Sequence, residues 1–459
     1  MTLHPVVILF SFHRPAPVLI CSGITKTGGR SSSVLQMSCS EVMRIMNEYI
    51  EQFEITAQGR NSGYEDNSYD RILLLCVILL LLFGVLMVYS ATSVVQPVRE
   101  SAVKPAELNS QFFFLKKHII SLSAGLVFMF LAFRFNLKKL YSLSYVLPLI
   151  SVVMVILVFV PGIGMKVNGA SRWIRFWPSS LQPSEFAKFA MIVFLAKYLS
   201  SPRFNPDSIL CFIKPLFVMA MFQMLFLLQP DFGSAMAMAL ITFTMLFLAG
   251  FRMRYIIGTV LLMSPPVVML LMVPYRLKRI TSFLDPWSDP QKAGYQLVQS
   301  FIALGSGGLT GIGLGASRQK LSFLPYINTD FIFSLMGEEL GFLGVLVVIL
   351  LFGIFFVRGL KIATGKEDPF QYYLGQGLTY LITYQALINI AVVTGLVPTK
   401  GLPLPFISYG GSALFVNMMA AGLLLNISKR YQHVSEYDST DNILRRKKAK
   451  ISVYGKRIG

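Results

Sequence analysis

Charged residues are scarce in this sequence of 459 residues, since Asp, Glu, Lys and Arg together make up 14% of it. Soluble globular domains carry about 25% charged residues. Hydrophobic residues make up 54% and include 37 phenylalanines and 22 methionines, more than a soluble core could bury. The composition excludes a soluble globular protein and predicts an all-α polytopic membrane protein.

Cysteine and histidine are also rare, with four of each. The histidines are scattered, and no C-x-x-C spacing relates the cysteines, which are Cys21, Cys39, Cys76 and Cys211. The sequence therefore predicts neither a disulfide framework nor a zinc site.

Long apolar runs dominate instead. A helix needs roughly 20 mainly apolar residues to cross a bilayer, and ten windows qualify: 71–92, 117–135, 141–161, 184–200, 211–228, 233–250, 255–274, 331–357, 372–394 and 406–427. We interpret residues 1–69 as a cytoplasmic extension, or as the product of an upstream start codon with Met43 or Met46 as the real start. Residues 70–428 form the predicted transmembrane domain, and residues 429–459 form a basic cytoplasmic tail.

Basic residues in the short loops predict how the spans are oriented. Such residues accumulate on the cytoplasmic side, and they place four loops and the "RRKKAK" tail there: Arg134, Lys138 and Lys139; Lys197 and Arg203; Arg252 and Arg254; Arg358, Lys361 and Lys366. Ten spans then leave both termini in the cytoplasm. The net charge of +19 mostly reflects this topology, not nucleic-acid binding, although the tail could also touch anionic membrane lipids.

One long polar loop, residues 275–330 between spans 7 and 8, falls on the external side. It contains Asp285 and Asp289 together with six cations: Arg276, Lys278, Arg279, Lys292, Arg318 and Lys320. Cations collected at the outer leaflet favour an anionic headgroup as ligand. The alternative is a folded loop without a ligand.

Acids within spans are costly and therefore indicate paired or functional positions. In "LQPSEFAK", Glu185 and Lys188 are three residues apart on one helical face and can pair, either as a structural clamp or as part of a site. In "LQPDFGSA", Asp231 is expected to cap the following helix. In "NTDFIFSLMGEELG", Glu338 and Glu339 cannot both face lipid, so at least one must face a cavity or a basic partner.

Two glycine-rich stretches lie near the predicted external face. "GLVPTKGLPLPFISYGGSA", residues 395–413, predicts a rigid re-entrant or surface turn with Lys400, Ser408, Tyr409 and Ser412 as its polar lining. "GSGGLTGIGLG", residues 305–315, lacks the G-K-[ST] ending of a phosphate-binding loop, so we exclude a nucleotide site.

Several motifs together resemble the SEDS family (shape, elongation, division and sporulation). They run from "YDRILLL" at residue 69 to about residue 430 and include "NGASRWI", "QPSEFAK", "QPDFGSA", "PWSDPQKAGYQLVQS", "FLPYINTDFIFSLMGEELG" and "PTKGLPLPFISYGGSA". "TKGLPLPFISYGGS" and "GYQLVQS" look more like the division-type branch of the family than the elongation-type branch.

The resemblance implies a peptidoglycan glycosyltransferase of the inner membrane. Such a protein polymerises lipid II into β-1,4 glycan strands at the outer face during septal cell-wall synthesis. Its expected partners are a class B penicillin-binding protein and other divisome proteins. The essential acid of the family corresponds to Asp289, whereas Asp285 lies outside the matched position. The "QPSEFAK" pair carries over as Glu185 and Lys188.

The expected chemistry needs a base for the attacking sugar hydroxyl and compensation for the charge of the leaving pyrophosphate. We predict that Asp289 is the base and that Arg276, Arg279 and Lys292 stabilise the phosphate charge. Further predicted substrate contacts are Glu185, Lys188, Glu338, Glu339, Lys400 and Ser408. A divalent cation such as Mg²⁺ or Mn²⁺ could share the second role, although no metal-ligand spacing indicates one.

Three alternatives stay open from the sequence: a lipid II flippase, an elongation-type polymerase, and a scaffold for division proteins. A carrier is less favoured because the most elaborate polar segment lies on one face only and no clear internal repeat is present.

Overall fold

The computed structural model describes residues 69–92, 112–167, 170–175, 180–272, 274–292, 294–320, 328–399 and 401–429. The predicted N-terminal extension, apart from Tyr69, and the predicted tail beyond residue 429 lie outside the described residues. Within these ranges the chain forms thirteen α-helices: α1 Arg71–Thr92, α2 Phe112–Arg134, α3 Leu137–Leu143, α4 Val146–Leu157, α5 Pro183–Leu199, α6 Ile209–Leu228, α7 Phe232–Leu248, α8 Met253–Leu271, α9 Pro274–Leu284, α10 Tyr295–Ser306, α11 Ile332–Thr364, α12 Pro369–Val393 and α13 Gly411–Ser428. The predicted all-α polytopic fold is confirmed.

One small hairpin interrupts the helices. Strands β1 (Gly164–Val167) and β2 (Ala170–Ile174) pair antiparallel between α4 and α5. Ile174 also bridges to Leu181, which leads the chain directly into α5. The helical segment predicted over 141–161 therefore ends earlier than expected, at Leu157, because the chain turns into this hairpin after α4.

Each of the ten predicted windows coincides with a helix or, for 141–161, with the bent pair α3 and α4. Among the described helices, six are long and apolar enough to cross a membrane, and a seventh span results if α3 and α4, bent by 60°, count as one. The predicted count of ten stays a prediction. The last window begins too early, since residues 401–410 are irregular and α13 starts at Gly411.

The centre of the bundle contains α5, α12 and α13, whose side chains are mostly buried. α13 packs along α2, while α12 packs against α11 and α5. Small residues allow close approach, since a Cβ at Gly422 would overlap the Met129 carbonyl oxygen of α2. Peripheral helices instead expose apolar side chains, such as Leu262 and Met269 of α8. Lipid solvates such faces, so their exposure is expected in a membrane protein.

One end of the bundle joins the start of α1 to the ends of α2, α11 and α13. Arg358 of α11 forms an ion pair with Asp70, whose backbone N–H donates to Ser428 Oγ at 3.0 Å. Asn426 Nδ2 donates to the carbonyl oxygens of Ala132 and Phe135 at 3.1 and 2.6 Å. The predicted orientation places these four helix ends on the same side of the membrane, and the contacts agree with it.

Candidate active site

The acid-bearing turn before α10 has a fixed backbone. A short 3₁₀ helix covers Pro286–Ser288, and the Asp289 carbonyl oxygen then accepts from the N–H groups of Lys292 and Gly294 at 3.3 and 3.1 Å. A Cβ at Gly294 would overlap the Pro286 carbonyl oxygen. Glycine at this position therefore lets the turn close tightly before α10 begins at Tyr295.

The Asp289 side chain is 36% exposed, and its nearest identified charge partner is Lys278 of α9. Lys278 Nζ lies 3.7 Å from Asp289 Oδ2, with the lysine side chain 60% exposed. An ion pair this exposed contributes little stability, so both groups stay available to a substrate. Arg279 and Lys292 are exposed nearby in sequence, and the side chain of Arg276 lies outside the described residues. The cations predicted to stabilise the phosphate did not include Lys278, although it is nearer to Asp289 in sequence than Arg276 is.

Helix α10, which follows the acid-bearing turn, is anchored on two long helices. Ser300 Oγ lies 2.7 Å from Ser334 Oγ of α11 and donates to the Val393 carbonyl oxygen of α12 at 2.7 Å. Gly395, with φ +71°, leaves no room for a Cβ against the Phe301 ring. The position of α10 is thus set by the bundle and not by the loop alone.

Glu185 and Lys188 form the ion pair predicted from their spacing. Lys188 Nζ lies 2.8 Å from Glu185 Oε1, and both side chains are fully buried. Gln385 of α12 reaches Glu185 Oε2 at 3.3 Å. Because the two charges neutralise each other inside the bundle, the geometry favours the structural clamp, and a substrate contact stays a prediction.

Asp231 caps α7 as predicted. Its Oδ1 accepts from the Ser234 N–H at 3.3 Å, and its Oδ2 accepts from Ser184 Oγ at 3.2 Å. Arg172 of the hairpin donates to the carbonyl oxygens of Gln229, at 3.3 Å, and Pro230. The "SRWI", "QPSEFAK" and "QPDFGSA" motifs therefore meet in one hydrogen-bonded cluster.

Glu338 and Glu339 are both buried in α11, and a basic partner accompanies them as predicted. Lys320 Nζ lies 3.7 Å from Glu339 Oε1, and Ser90 of α1 donates to the same carboxylate at 2.6 Å. Glu338 accepts from the Ser317 hydroxyl and from the Arg318 N–H at 3.0 Å. Residues of the 275–330 loop, together with Ser90 of α1, thus satisfy the acids of the span. The substrate contact predicted for Glu338 and Glu339 stays a prediction.

Asp330 lies at the mouth of α11, two residues before the helix begins at Ile332. A Cβ at Gly401 would lie 2.7 Å from Asp330 Oδ2, so a side chain at residue 401 would require this carboxylate to move. Asn389 Nδ2 donates to the carbonyl oxygens of Asp330 and Leu402 at 2.8 and 2.7 Å. Burial raises the pKa of Asp330 to about 7, opposed in part by a hydrogen bond from Thr329 and by the charge of Arg172.

Ser408 holds the proline-rich turn together. Its buried hydroxyl donates to the Thr329 carbonyl oxygen at 2.5 Å and accepts from the Leu404 N–H at 2.8 Å. This geometry favours a structural role over the predicted substrate contact. Lys400 lies outside the described residues. Within the described ranges, no group of three or more His, Cys, Asp or Glu side chains could hold a metal ion.

Residues 70–433 match the family described as "Cell cycle protein", which unites FtsW, RodA and SpoVE proteins. The chain belongs to this SEDS family. It is 44% identical over 368 residues to the probable peptidoglycan glycosyltransferase FtsW of Geobacter metallireducens, with 80% of this chain and 96% of the relative covered. It is 41% identical over 364 residues to stage V sporulation protein E of Bacillus subtilis, with 79% and 97% covered.

Solved structures of the SEDS family share the fold. One comes from a study entitled "Structural coordination of polymerization and crosslinking by a peptidoglycan synthase complex"; its TM-score is 0.65 at 27% identity, with 79% of this chain and 98% of that chain covered. RodA of Thermus thermophilus matches with a TM-score of 0.58 at 26% identity, with 80% and 98% covered. The family predicted from the motifs is therefore confirmed.

Proposed function

We propose that this chain is a peptidoglycan glycosyltransferase that polymerises lipid II into β-1,4 glycan strands. The observation that carries the proposal is the 44% identity to a relative with that name, aligned over 96% of the relative. Similarity to FtsW proteins and to the sporulation protein favours the division-type assignment over the elongation type. The site of action is the outer face of the cytoplasmic membrane at the septum, with both termini in the cytoplasm.

The distribution of polar groups supports chemistry at one membrane face. Ser90 near the end of α1 meets Glu339 near the start of α11, and the acid-bearing turn connects to the same end of α11 through α10. The opposite end is closed by the contacts of Asp70 and Arg358. An enzyme acting on a lipid-linked sugar needs such a one-sided polar end beside apolar helices that hold the lipid tail.

In the proposed reaction, Asp289 removes the proton from the 4-hydroxyl of the acceptor sugar. The hydroxyl oxygen attacks the anomeric carbon of the donor, whose bond to undecaprenyl pyrophosphate breaks with inversion. A positioned base of this kind contributes on the order of a hundredfold to ten-thousandfold in rate. Three cations stabilise the charge of the leaving pyrophosphate. Lys278 lies 3.7 Å from the acid, and Arg279 and Lys292 are near it in sequence.

The expected partner is a class B penicillin-binding protein that crosslinks the strands. The similarity to a chain of a peptidoglycan synthase complex supports this partner. Association with other divisome proteins follows from the division-type assignment.

The test compares Asp289→Asn with a matched control, Asp285→Asn. Both acids precede a proline in the same turn, and only Asp289 is the proposed base. Each variant is purified with the class B penicillin-binding protein and supplied with lipid II, and the products are separated on a gel. We expect long strands from the wild type and from Asp285→Asn, and none from folded Asp289→Asn.

Other outcomes point elsewhere. Equal strands from Asp289→Asn would move the base to another acid, with Glu338 and Glu339 tested next. If the wild type makes no strands while a control polymerase is active, the polymerase proposal fails. Movement of labelled lipid II between leaflets would then identify a flippase, and retained partner binding alone would identify a scaffold.

A further inference from the structure

Helix α11 is broken near its start, and another segment completes its hydrogen bonds. Gly341 has φ 67° and ψ −168°, which is not helical. In an unbroken helix, the N–H groups of Phe342 and Leu343 would donate to the carbonyl oxygens of Glu338 and Glu339. Here they donate to the carbonyl oxygens of Gly308 and Leu309 at 2.9 and 3.1 Å.

The carbonyl oxygens released by the break find partners in the same segment. The Glu338 carbonyl oxygen accepts from the Ile312 N–H at 3.0 Å, and the Glu339 carbonyl oxygen accepts from the Gly313 N–H at 3.2 Å. Four backbone hydrogen bonds from residues 307–320, which we name the strap, thus replace two bonds of the helix. The strap is inserted into α11 and does not merely lie on its surface.

Glycines make the insertion possible. A Cβ at Gly307 would overlap the Gly337 carbonyl oxygen, one at Gly311 would overlap the Glu339 carbonyl oxygen, and one at Gly341 would overlap the Gly311 nitrogen. These overlaps are with backbone atoms, which cannot rotate away. The strap therefore needs glycine on both sides of the contact, which gives the 305–315 glycine run a structural reason.

Side chains lock the far half of the strap to the same helix. Ser317 and the Arg318 N–H bind the Glu338 carboxylate, while Lys320 lies 3.7 Å from the Glu339 carboxylate. Ser317, Lys320 and both glutamates are buried. A buried ion pair broken on one side leaves an uncompensated charge, so these contacts resist separation of the strap from α11.

The strap is continuous with the helix that carries the proposed base. α10 spans twelve residues from Tyr295 to Ser306, roughly 18 Å at 1.5 Å per residue. The acid-bearing turn precedes it directly, and the strap follows it directly. A change in how the strap sits in α11 would therefore tilt or shift α10 and move Asp289.

We propose that the strap, inserted into α11 at Gly341, positions Asp289 for polymerisation together with the contacts that anchor α10. Gly311, Gly341 and the Lys320–Glu339 pair are its positioning residues, and none of them needs to touch the substrate. This inference rests on the proposed polymerase function. Misplacement of a reacting group by about 1 Å can lower a rate on the order of a hundredfold, so displacement of the strap should measurably lower the rate of polymerisation.

The test compares Gly311→Ala with Gly313→Ala. Both glycines lie in the strap with left-handed backbone, at φ +82° and +102°, so alanine is strained at both. Only the Cβ at residue 311 meets α11, since nothing lies within 4 Å of a Cβ at residue 313. Hydrogen–deuterium exchange of residues 307–320 and 338–343 reports the insertion, and lipid II polymerisation with the partner present reports the positioning.

We expect faster exchange in both segments for Gly311→Ala and a kcat lower by about tenfold or more. Its KM should stay within about twofold of wild type, because the substrate contacts are unchanged. The amount of lipid II bound per protein should also stay within about twofold, and it serves as the control for folding, since a loss of folded protein would reduce it. Gly313→Ala should keep slow exchange and at least half of the wild-type kcat.

Each contrary outcome would overturn one part of the proposal, either the insertion of the strap or its positioning role. Fast exchange of both segments in the wild type would show that the strap is not inserted. Faster exchange in Gly311→Ala with an unchanged kcat would show that the strap does not position the base, as would equal losses in the two variants. If the wild type makes no strands, the proposed function fails and the positioning role falls with it, while exchange still decides the insertion.

Discussion

At the scale of residues, two buried ion pairs lie within the described part of the bundle, Glu185–Lys188 and Lys320–Glu339. Glu185 and Lys188 are 2.8 Å apart and fully buried. Their pairing could be predicted from sequence because residues three apart share one face of a helix. The Lys320–Glu339 pair could not be assigned in this way, because its members lie on different segments brought together by the insertion of the strap.

Lys188→Met should destabilise the protein by about 3–5 kcal/mol, because it leaves Glu185 buried without its counter-charge. The double variant Glu185→Gln/Lys188→Met should recover most of that loss, since no charge is left unpaired. Unfolding midpoints in detergent measure both effects, with Lys139→Met at an exposed position as the control. A Lys188→Met protein as stable as wild type would show that the pair is no clamp.

Asp330 should make the protein less stable as pH rises from about 4 to about 7. Burial raises its pKa to about 7 in the folded protein, whereas an unfolded chain loses this proton near pH 4. The folded state therefore binds more protons in this window, and its free energy of unfolding falls as pH rises. Asp330→Asn should remove that part of the pH dependence. Thermal unfolding of both proteins at pH 5 and pH 8 tests this, and parallel shifts would contradict it.

At the scale of elements, the helices were predictable and their interruptions were not. Windows of roughly 20 apolar residues locate helices because a membrane span must satisfy its own backbone. The bend between α3 and α4 depends on local bonds, as Ser144 Oγ donates to the carbonyl oxygens of Leu140 and Tyr141 at 3.0 and 2.7 Å. A serine bonded in this way can bend a helix, but the pattern of apolar residues does not predict which carbonyl oxygens its hydroxyl will bind.

The break in α11 shows the same limit more strongly. Its cause is a segment about 30 residues upstream, and glycine composition alone suggested only a loop. The site is similar in this respect. The motif resemblance selected Asp289, and six cations of the loop were visible in the sequence, but the orientation of α9 against the turn decides that Lys278 is the one paired with Asp289. Local pattern thus predicts which residues matter, and tertiary contacts decide which of them meet.

At the scale of the whole molecule, ten spans are predicted, whereas six of the described helices are by themselves long and apolar enough to cross a membrane. Two of the remaining helices show why the two numbers are compatible. α5 carries a charged pair, yet its side chains are almost all buried by neighbouring helices, so lipid need not solvate it. α7 has 17 residues, at the lower limit of about 17–25 for a span. Burial inside the bundle therefore accounts for the charged pair of α5, and a length at the lower limit accounts for α7.

Single cysteines can test this topology in a variant whose four native cysteines are replaced. Trp287 is exposed in the acid-bearing turn, and Arg203 and Glu367 are exposed between α5 and α6 and between α11 and α12. Ten spans place only Trp287 outside. We expect Trp287→Cys to react with a membrane-impermeant thiol reagent in intact spheroplasts, and Arg203→Cys and Glu367→Cys to react only after permeabilisation. A protected Trp287→Cys would place the proposed base in the cytoplasm, away from externally presented lipid II, and both the span count and the site of chemistry would then be wrong.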